Sequence, residues 1–107
     1  MGETRFSVLL TEDAWADLAD IDNYWAELGE AWRGEKYYWD LRDTAVRELS
    51  DVVSARHGRR ARGCDRAGMQ EILAFGVYRI IYEIDEATAR VNILRFWHSR
   101  RDTPPLE

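Results

Sequence analysis

A chain of 107 residues, 46% of them hydrophobic, is long enough for one packed domain and too short for two. It holds no apolar run of membrane-spanning length, no apolar targeting core in Met1–Leu10 and a single cysteine, Cys64. It therefore reads as a cytoplasmic protein without internal disulfide or membrane contact. The net charge of −5 is uneven: residues 1–53 carry thirteen acids and five bases (net −8), so that half cannot lie flat on a phosphate backbone.

In chain order, Arg5–Leu10 alternates, with Phe6, Val8 and Leu10 on one side, and predicts a strand with one buried face. Thr11 suits a helix N-cap, and Glu12 and Asp13 suit the positive end of the helix dipole. From Glu12 to about Leu28, the residues Ala14, Leu18, Ile21, Trp25 and Leu28 fall on one helical face. Asp17, Asp20, Asn23 and Glu27 lie off that stripe, and Gly29 fits a C-terminal stop. A second helix is predicted from Glu30 or Ala31 to about Val53, with Tyr38, Leu41, Ala45, Leu49 and Val52 as its main stripe. Gly34 weakens its first turns by roughly 1 kcal/mol relative to Ala. A second column, Trp32, Trp39, Val46 and Val53, runs beside the stripe at a spacing of seven. Either this helix lies deepest, between its partner and a sheet, or its Trp32/Trp39 end is an exposed patch for a partner protein. The short link between the helices makes them an antiparallel hairpin.

Ser54–Gly68 carries Arg56, Arg59, Arg60, Arg62 and Arg66 with one acid (net +4), has no apolar period and reads as a solvated loop. Met69–Phe75 reads as a strand. With Phe75-Gly76 as a tight turn, Met69, Glu71, Leu73 and Phe75 share the apolar face, and Gln70, Ile72 and Ala74 take the other. Two β-rich runs then flank Glu86–Ala89, a hairpin signal. Pairing Asp85 with Arg90 puts Tyr78, Ile80, Tyr82 and Ile84 on one face with Val91, Ile93, Arg95 and Trp97. The opposite face takes Val77, Arg79, Ile81 and Glu83 with Asn92, Leu94, Phe96 and His98. Arg79 and His98 are thus expected on one side of the sheet, with Glu83 as a possible partner for Arg79. Residues 102–107 hold both prolines and read as a flexible tail. The expected fold is α+β, in the order β-α-α-β-β-β: a helical hairpin packed on one face of an antiparallel four-stranded sheet, forming a single domain over residues 1–107.

Tyr78-Arg79-Ile80-Ile81-Tyr82, followed by Ile93-Leu94-Arg95-Phe96-Trp97-His98-Ser99-Arg100-Arg101-Asp102, resembles the C-terminal signature of the RelE/ParE toxin superfamily. The closing His98-Ser99-Arg100-Arg101-Asp102 is more like the ParE branch. Ala14, Asp17-Leu18, Ile21 and Trp25 resemble the family's first helix, and Tyr38, Leu41, Ala45 and Leu49 its second, so the likeness runs from Phe6 to Asp102. The resemblance implies the toxin of a bacterial type II toxin–antitoxin pair, silenced by a cognate antitoxin. One branch cleaves mRNA in the ribosome; the ParE branch poisons DNA gyrase and traps it on broken DNA.

Cleaving RNA through its 2′-hydroxyl needs a base, an acid and cations around the developing phosphorane. The resemblance offers Arg79 as the cation and His98 as acid or base; each also has a plain structural reading, Arg79 as an ion-paired strand residue and His98 as a strand end. The chain departs from the nuclease pattern where Ser99, not an aromatic residue, follows His98, and where Lys36 is the single lysine. The expectation is therefore a ParE-type toxin acting by binding, with Arg95, Arg100 and Arg101 meeting gyrase and Trp32, Trp39 and Val46 meeting the antitoxin. The alternative is a ribosome-dependent mRNA endonuclease; a third reading is an inactive scaffold that only binds antitoxin. With no phosphate loop, nucleophile elbow or metal motif in the sequence, neither cofactor nor metal is expected.

Overall fold

The computed structural model describes residues 5–63 and 68–100. Its elements are β1 (Ser7–Leu10), α1 (Glu12–Glu27), α2 (Ala31–Ser50), α3 (Val52–Arg56), β2 (Arg59–Arg60), β3 (Met69–Ala74), β4 (Tyr78–Asp85) and β5 (Arg90–His98). The strands form one sheet in the order β1-β5-β4-β3-β2. The α+β class and the helical hairpin over one sheet face agree with the sequence reading. The sheet itself is mixed and five-stranded rather than antiparallel and four-stranded, because β1 joins β5 in parallel and β2 adds a short fifth strand. The alternation in Arg5–Leu10 shows which side chains turn inward but is the same for either strand direction. No apolar pattern announces β2, whose two arginines pair with Gln70 and Glu71 of β3.

Thr11 caps α1 as its position suggests. Its Oγ1 accepts from Ala14 N at 3.3 Å and donates to Ile93 O at 2.8 Å, which fastens the helix start to β5. Ala14 and Leu18 are fully buried, whereas Leu28 lies past the helix end and is exposed. On α2, Leu41, Ala45 and Leu49 are buried together with Gly34. A Cβ on Gly34 would stand 2.5 Å from Asp22 O and 2.9 Å from Asp22 Cα, both backbone atoms of α1. The weak helix former is there because the two helix backbones cross closely at that point.

The second helix stops at Ser50, three residues before the predicted end. Asp51 leaves the helical region, and its carboxylate accepts from Val53 N and Ser54 N, capping the separate turn of α3. Phe6 N donates to Ser50 O, tying the break to the strand edge.

Two register features set the faces of the sheet. Between β3 and β4, Ala74 faces Tyr78, leaving Phe75, Gly76 and Val77 outside the ladder, with φ of 53° at Phe75 and 72° at Gly76. The connection is one residue longer than a two-residue turn, so β3 is turned over relative to expectation. Met69, Glu71 and Leu73 share the Arg79 face, and Gln70, Ile72 and Ala74 face the helices. Between β4 and β5, Asp85 does face Arg90, and the expected register holds to Tyr82 and Ile93. There a bulge intervenes and Ile81 faces Arg95, so Leu94 is left over. Beyond it, Phe96 and His98 fall beside Ile80 and Tyr78, and Arg95 and Trp97 beside Ile81 and Arg79.

The main core lies between helices and sheet and includes Leu18, Leu41, Leu49, Ile80, Tyr82, Val91, Ile93 and Phe96. A smaller cluster of Ala61, Met69, Ile81 and Trp97 lies on the opposite face. Among the described residues no helix is long and apolar enough to cross a membrane.

Candidate functional site

On the face away from the helices, Glu71 and Arg79 form a buried ion pair; each side chain is 1% exposed. Arg79 Nε and Nη2 donate to Glu71 Oε1 at 2.9 and 2.7 Å. Arg59 meets Glu71 Oε2 at 2.9 Å, and the Arg62 backbone N–H donates to Oε1 at 3.2 Å. Arg79 Nη2 also donates to Arg62 O at 2.8 Å, while its Nη1 is buried with no hydrogen-bond partner among the described residues. Burial alone would raise the Glu71 carboxyl. The Arg79 and Arg62 hydrogen bonds, with the Arg79 and Arg59 charges, outweigh it and hold the carboxyl below its ordinary range. A carboxylate so committed is a weak base and has no open approach. The partner of Arg79 is thus Glu71, which the expected register had turned away, rather than Glu83.

His98 is on the other face. Its ring meets Tyr78 edge-on at 5.6 Å, and its Nδ1 accepts from Arg100 N at 3.1 Å, so Nε2 carries the proton of the neutral ring. The expected pairing of Arg79 with His98 on one side of the sheet does not form, because the bulge at Leu94 turns His98 over.

Asp17, which seemed to lie off the first helical stripe, is buried. It takes Arg95 Nε at 2.7 Å, Arg95 Nη2 at 2.8 Å and Phe96 N at 3.0 Å, satisfying the edge of β5 just past the bulge. Its place at i+3 from Ala14, next to Leu18, was the available signal. The Asp17 hydrogen bond raises the Arg95 pKa against the pull of burial, and the guanidinium lies 4.8 Å from the centre of the Trp97 ring. Arg95, a candidate target contact, therefore has its charge balanced within the fold.

Around His98 runs a groove of about 710 Å³ between α1 and the end of β5. Rings follow one another along it: Tyr24 to Trp25 at 5.3 Å, Trp25 to Tyr37 at 5.8 Å, Tyr37 to Tyr78 at 5.4 Å, then His98. Burial pushes the Tyr78 phenol up; the Trp25 indole N–H lies close to it but forms no well-aligned hydrogen bond. Asp20 and Arg100 also line this groove, which suits an apolar side chain with a polar end.

The second column, on α2 with Val53 on α3, is at the surface. Trp32 is 62% exposed, Trp39 47%, Val46 37% and Val53 63%. Trp39 packs edge-on to Tyr38, Arg42 lies 5.6 Å over Trp39, and Arg33 lies 5.3 Å over Trp32. The main stripe goes inward and this second column outward. The arginine stretch is less free than its composition suggests: Arg56 pairs with Glu86, Arg59 with Glu71, and Arg62 Nη2 donates to Ser99 O at 3.2 Å. Arg100 is exposed, and Arg66, Arg101 and the tail lie outside the described residues. Among the described residues no three His, Cys, Asp or Glu side chains converge to hold a metal ion.

Residues 8–103 match the family model described as the ParE toxin of the type II toxin–antitoxin system parDE. Among curated protein sequences none matches the chain significantly. Solved structures that share its fold include two from toxin–antitoxin assemblies. A chain of the chromosomal ParDE toxin–antitoxin system from P. aeruginosa is 18% identical, with 90% of this chain and 98% of that one covered and a TM-score of 0.69. A chain of the toxin–antitoxin complex RelBE2 from Mycobacterium tuberculosis is 24% identical, with 94% and 98% covered and a TM-score of 0.68. With the family model spanning all but the ends of the sequence, the chain belongs to the ParE toxin family of type II toxin–antitoxin systems.

Proposed function

We propose that this toxin acts in the cytoplasm by binding DNA gyrase and trapping it on broken DNA, and that a cognate antitoxin silences it. The observation that carries this reading is the separation of Arg79 from His98. Attack by a 2′-hydroxyl needs cation, base and acid around one phosphate. Here Arg79 is sealed against Glu71 on one face, and His98 stands on the other beside Tyr78. Poisoning by binding needs only a complementary surface, and the exposed Arg100 with Arg101 next to it in sequence supplies a pair of cations suited to gyrase or gyrase-bound DNA.

Two chains of similar fold come from toxin–antitoxin assemblies, which supports an antitoxin partner. The exposed column of Trp32, Trp39 and Val46 suits the apolar stripe of an amphipathic helix, and the acidic hairpin around it favours basic flanks on that helix.

Induction in a bacterial host tests the target. His98→Ala remains toxic, deletion of 100–107 abolishes toxicity in a folded domain, and arrested cells accumulate cleaved DNA while translation continues at first. Early arrest of translation with mRNA cut at ribosome-bound codons, abolished by His98→Ala in a folded protein, overturns the gyrase reading in favour of the endonuclease. Unchanged growth on induction of soluble toxin overturns both in favour of the scaffold.

A further inference from the structure

Arg62 occupies an unusual position in the hydrogen-bond network. Its backbone is gripped from both sides by the buried pair: its N–H donates to Glu71 Oε1, and its carbonyl accepts from Arg79 Nη2. The neighbouring Ala61 N donates to Met69 O at 3.0 Å, so the main chain here is anchored to β3. From this fixed base the Arg62 side chain crosses to Ser99 O, thirty-seven residues further along the chain. Ser99 is held from a second side, where its N–H donates to Val77 O at 2.7 Å, and Arg100 N is held by His98 Nδ1. Among the described residues the chain therefore leaves β5 through a bracket of three bonds, of which the Arg62 bond is the one made by a side chain from outside the strand pair.

We infer that Arg62 is a positioning residue for the toxic C-terminal end, setting the direction in which the chain leaves the sheet after Ser99. The inference rests on the proposed gyrase contact through Arg100 and the residues beyond. It also gives the buried Glu71–Arg79 pair a role apart from chemistry: the pair holds the Arg62 main chain, and Arg62 holds the exit of the tail. A segment restrained at its root loses less freedom when it docks, so the restraint strengthens binding without touching the target.

The test compares Arg62→Ala, Arg62→Lys and deletion of 100–107 in the full-length toxin. Thermal melting and inhibition of purified gyrase supercoiling are measured for each, and amide exchange at Ser99 and Arg100 for the two substitutions. In Arg62→Ala, amide exchange at Ser99 and Arg100 rises about fivefold, the loss expected of one hydrogen bond. Gyrase inhibition weakens roughly three- to tenfold, and the melting temperature stays near that of the unsubstituted toxin. Arg62→Lys, which keeps a cationic N–H donor group, returns both readouts toward the starting values. Unchanged exchange in Arg62→Ala overturns the bracket. Faster exchange with unchanged inhibition, while the deletion abolishes inhibition, overturns the positioning role but leaves the gyrase reading standing. If the deletion itself leaves gyrase inhibition intact, the contact through the tail fails and the positioning role with it. If Arg62→Ala melts much lower, Arg62→Lys decides: normal melting with restored inhibition supports the inference, and normal melting without restoration overturns it.

Discussion

The two faces of the sheet hold the fold in different ways. Under the helices, Leu18, Leu41, Leu49, Ile80, Ile93 and Phe96 exclude water over a broad apolar layer. Such a layer tolerates small shifts, because its gain depends on area removed from water and not on direction. On the opposite face a thin cluster around Ile81 and Trp97 flanks the buried Glu71 and Arg79, with the exposed Arg59 at its margin. There the geometry of a few bonds decides everything. A buried ion pair adds little net stability when intact, but leaves an uncompensated charge when one partner is lost.

The largest expected effect follows from that asymmetry. Arg79→Met strands Glu71 with the exposed Arg59 and destabilises the toxin by about 3–5 kcal/mol. Replacing Glu71 by Leu in the same chain recovers much of the loss. Urea denaturation of the single and double variants measures both, and a near-neutral Arg79→Met contradicts the account of the open face. Next comes the covered side, through its helix crossing. Gly34→Ala forces a methyl against the Asp22 backbone and costs about 1–3 kcal/mol, although alanine is the better helix former. A stabilised variant would mean that the helices are not so closely packed. Smaller still is Tyr82→Phe, which removes the hydroxyl bond to Ala55 O at 2.6 Å and lowers stability by about 1 kcal/mol.

The faces also set separate pH limits. The Glu71 carboxyl is held below its ordinary 4.5, so its stabilising contribution is complete above that value and fades as pH falls through the lowered folded-state pKa. Burial pushes the Tyr82 phenol from 10.0 up to about 12. Its contribution is complete below the unfolded value and is lost as pH rises from there toward the folded one. In acid melts, Glu71→Leu in the Arg79→Met background flattens the low-pH limb. In alkaline melts, Tyr82→Phe flattens the high-pH limb. If both limbs are unchanged, neither group is the one titrating.

The smallest effect on folding is at the exposed column. Trp32→Ala with Trp39→Ala changes stability by only about 0.5 kcal/mol, as surface substitutions do. The same pair lowers antitoxin affinity by more than about 2 kcal/mol if these rings anchor it. Calorimetric titration against the purified antitoxin reads this, and unchanged affinity in a folded variant moves the interface elsewhere.

The elements themselves were legible because each states its own period: the stripe Leu41, Ala45, Leu49 and the alternation around Ile80 and Tyr82 are local. The Thr11 cap and the Asp85–Arg90 pairing were legible for the same reason. What stayed hidden was where a residue drops out of the ladder. Val77 and Leu94 are apolar and fit either face, so nothing in their chemistry marks the extra loop residue or the bulge. The candidate site inherited that blindness. Arg79 could be recognised as a cation in an apolar strand, but its partner Glu71 was assigned to the wrong face. Arg62 carried no local signal at all, since its bonds reach residues far away in sequence.

The bulge at Leu94 behaves toward the sheet as a frameshift behaves toward a message. Every side chain after it is read on the opposite surface, although not one of the letters has changed. Pairing Leu94 with Ile81, in place of the bulge, would return His98 to the side of Arg79 and carry Arg95 and Trp97 under the helices, in place of Phe96. A chain with the same closing letters but with Leu94 paired in the ladder would present its His98 on the opposite face. A shared ending is inherited as text, but its chemistry is inherited only together with the frame.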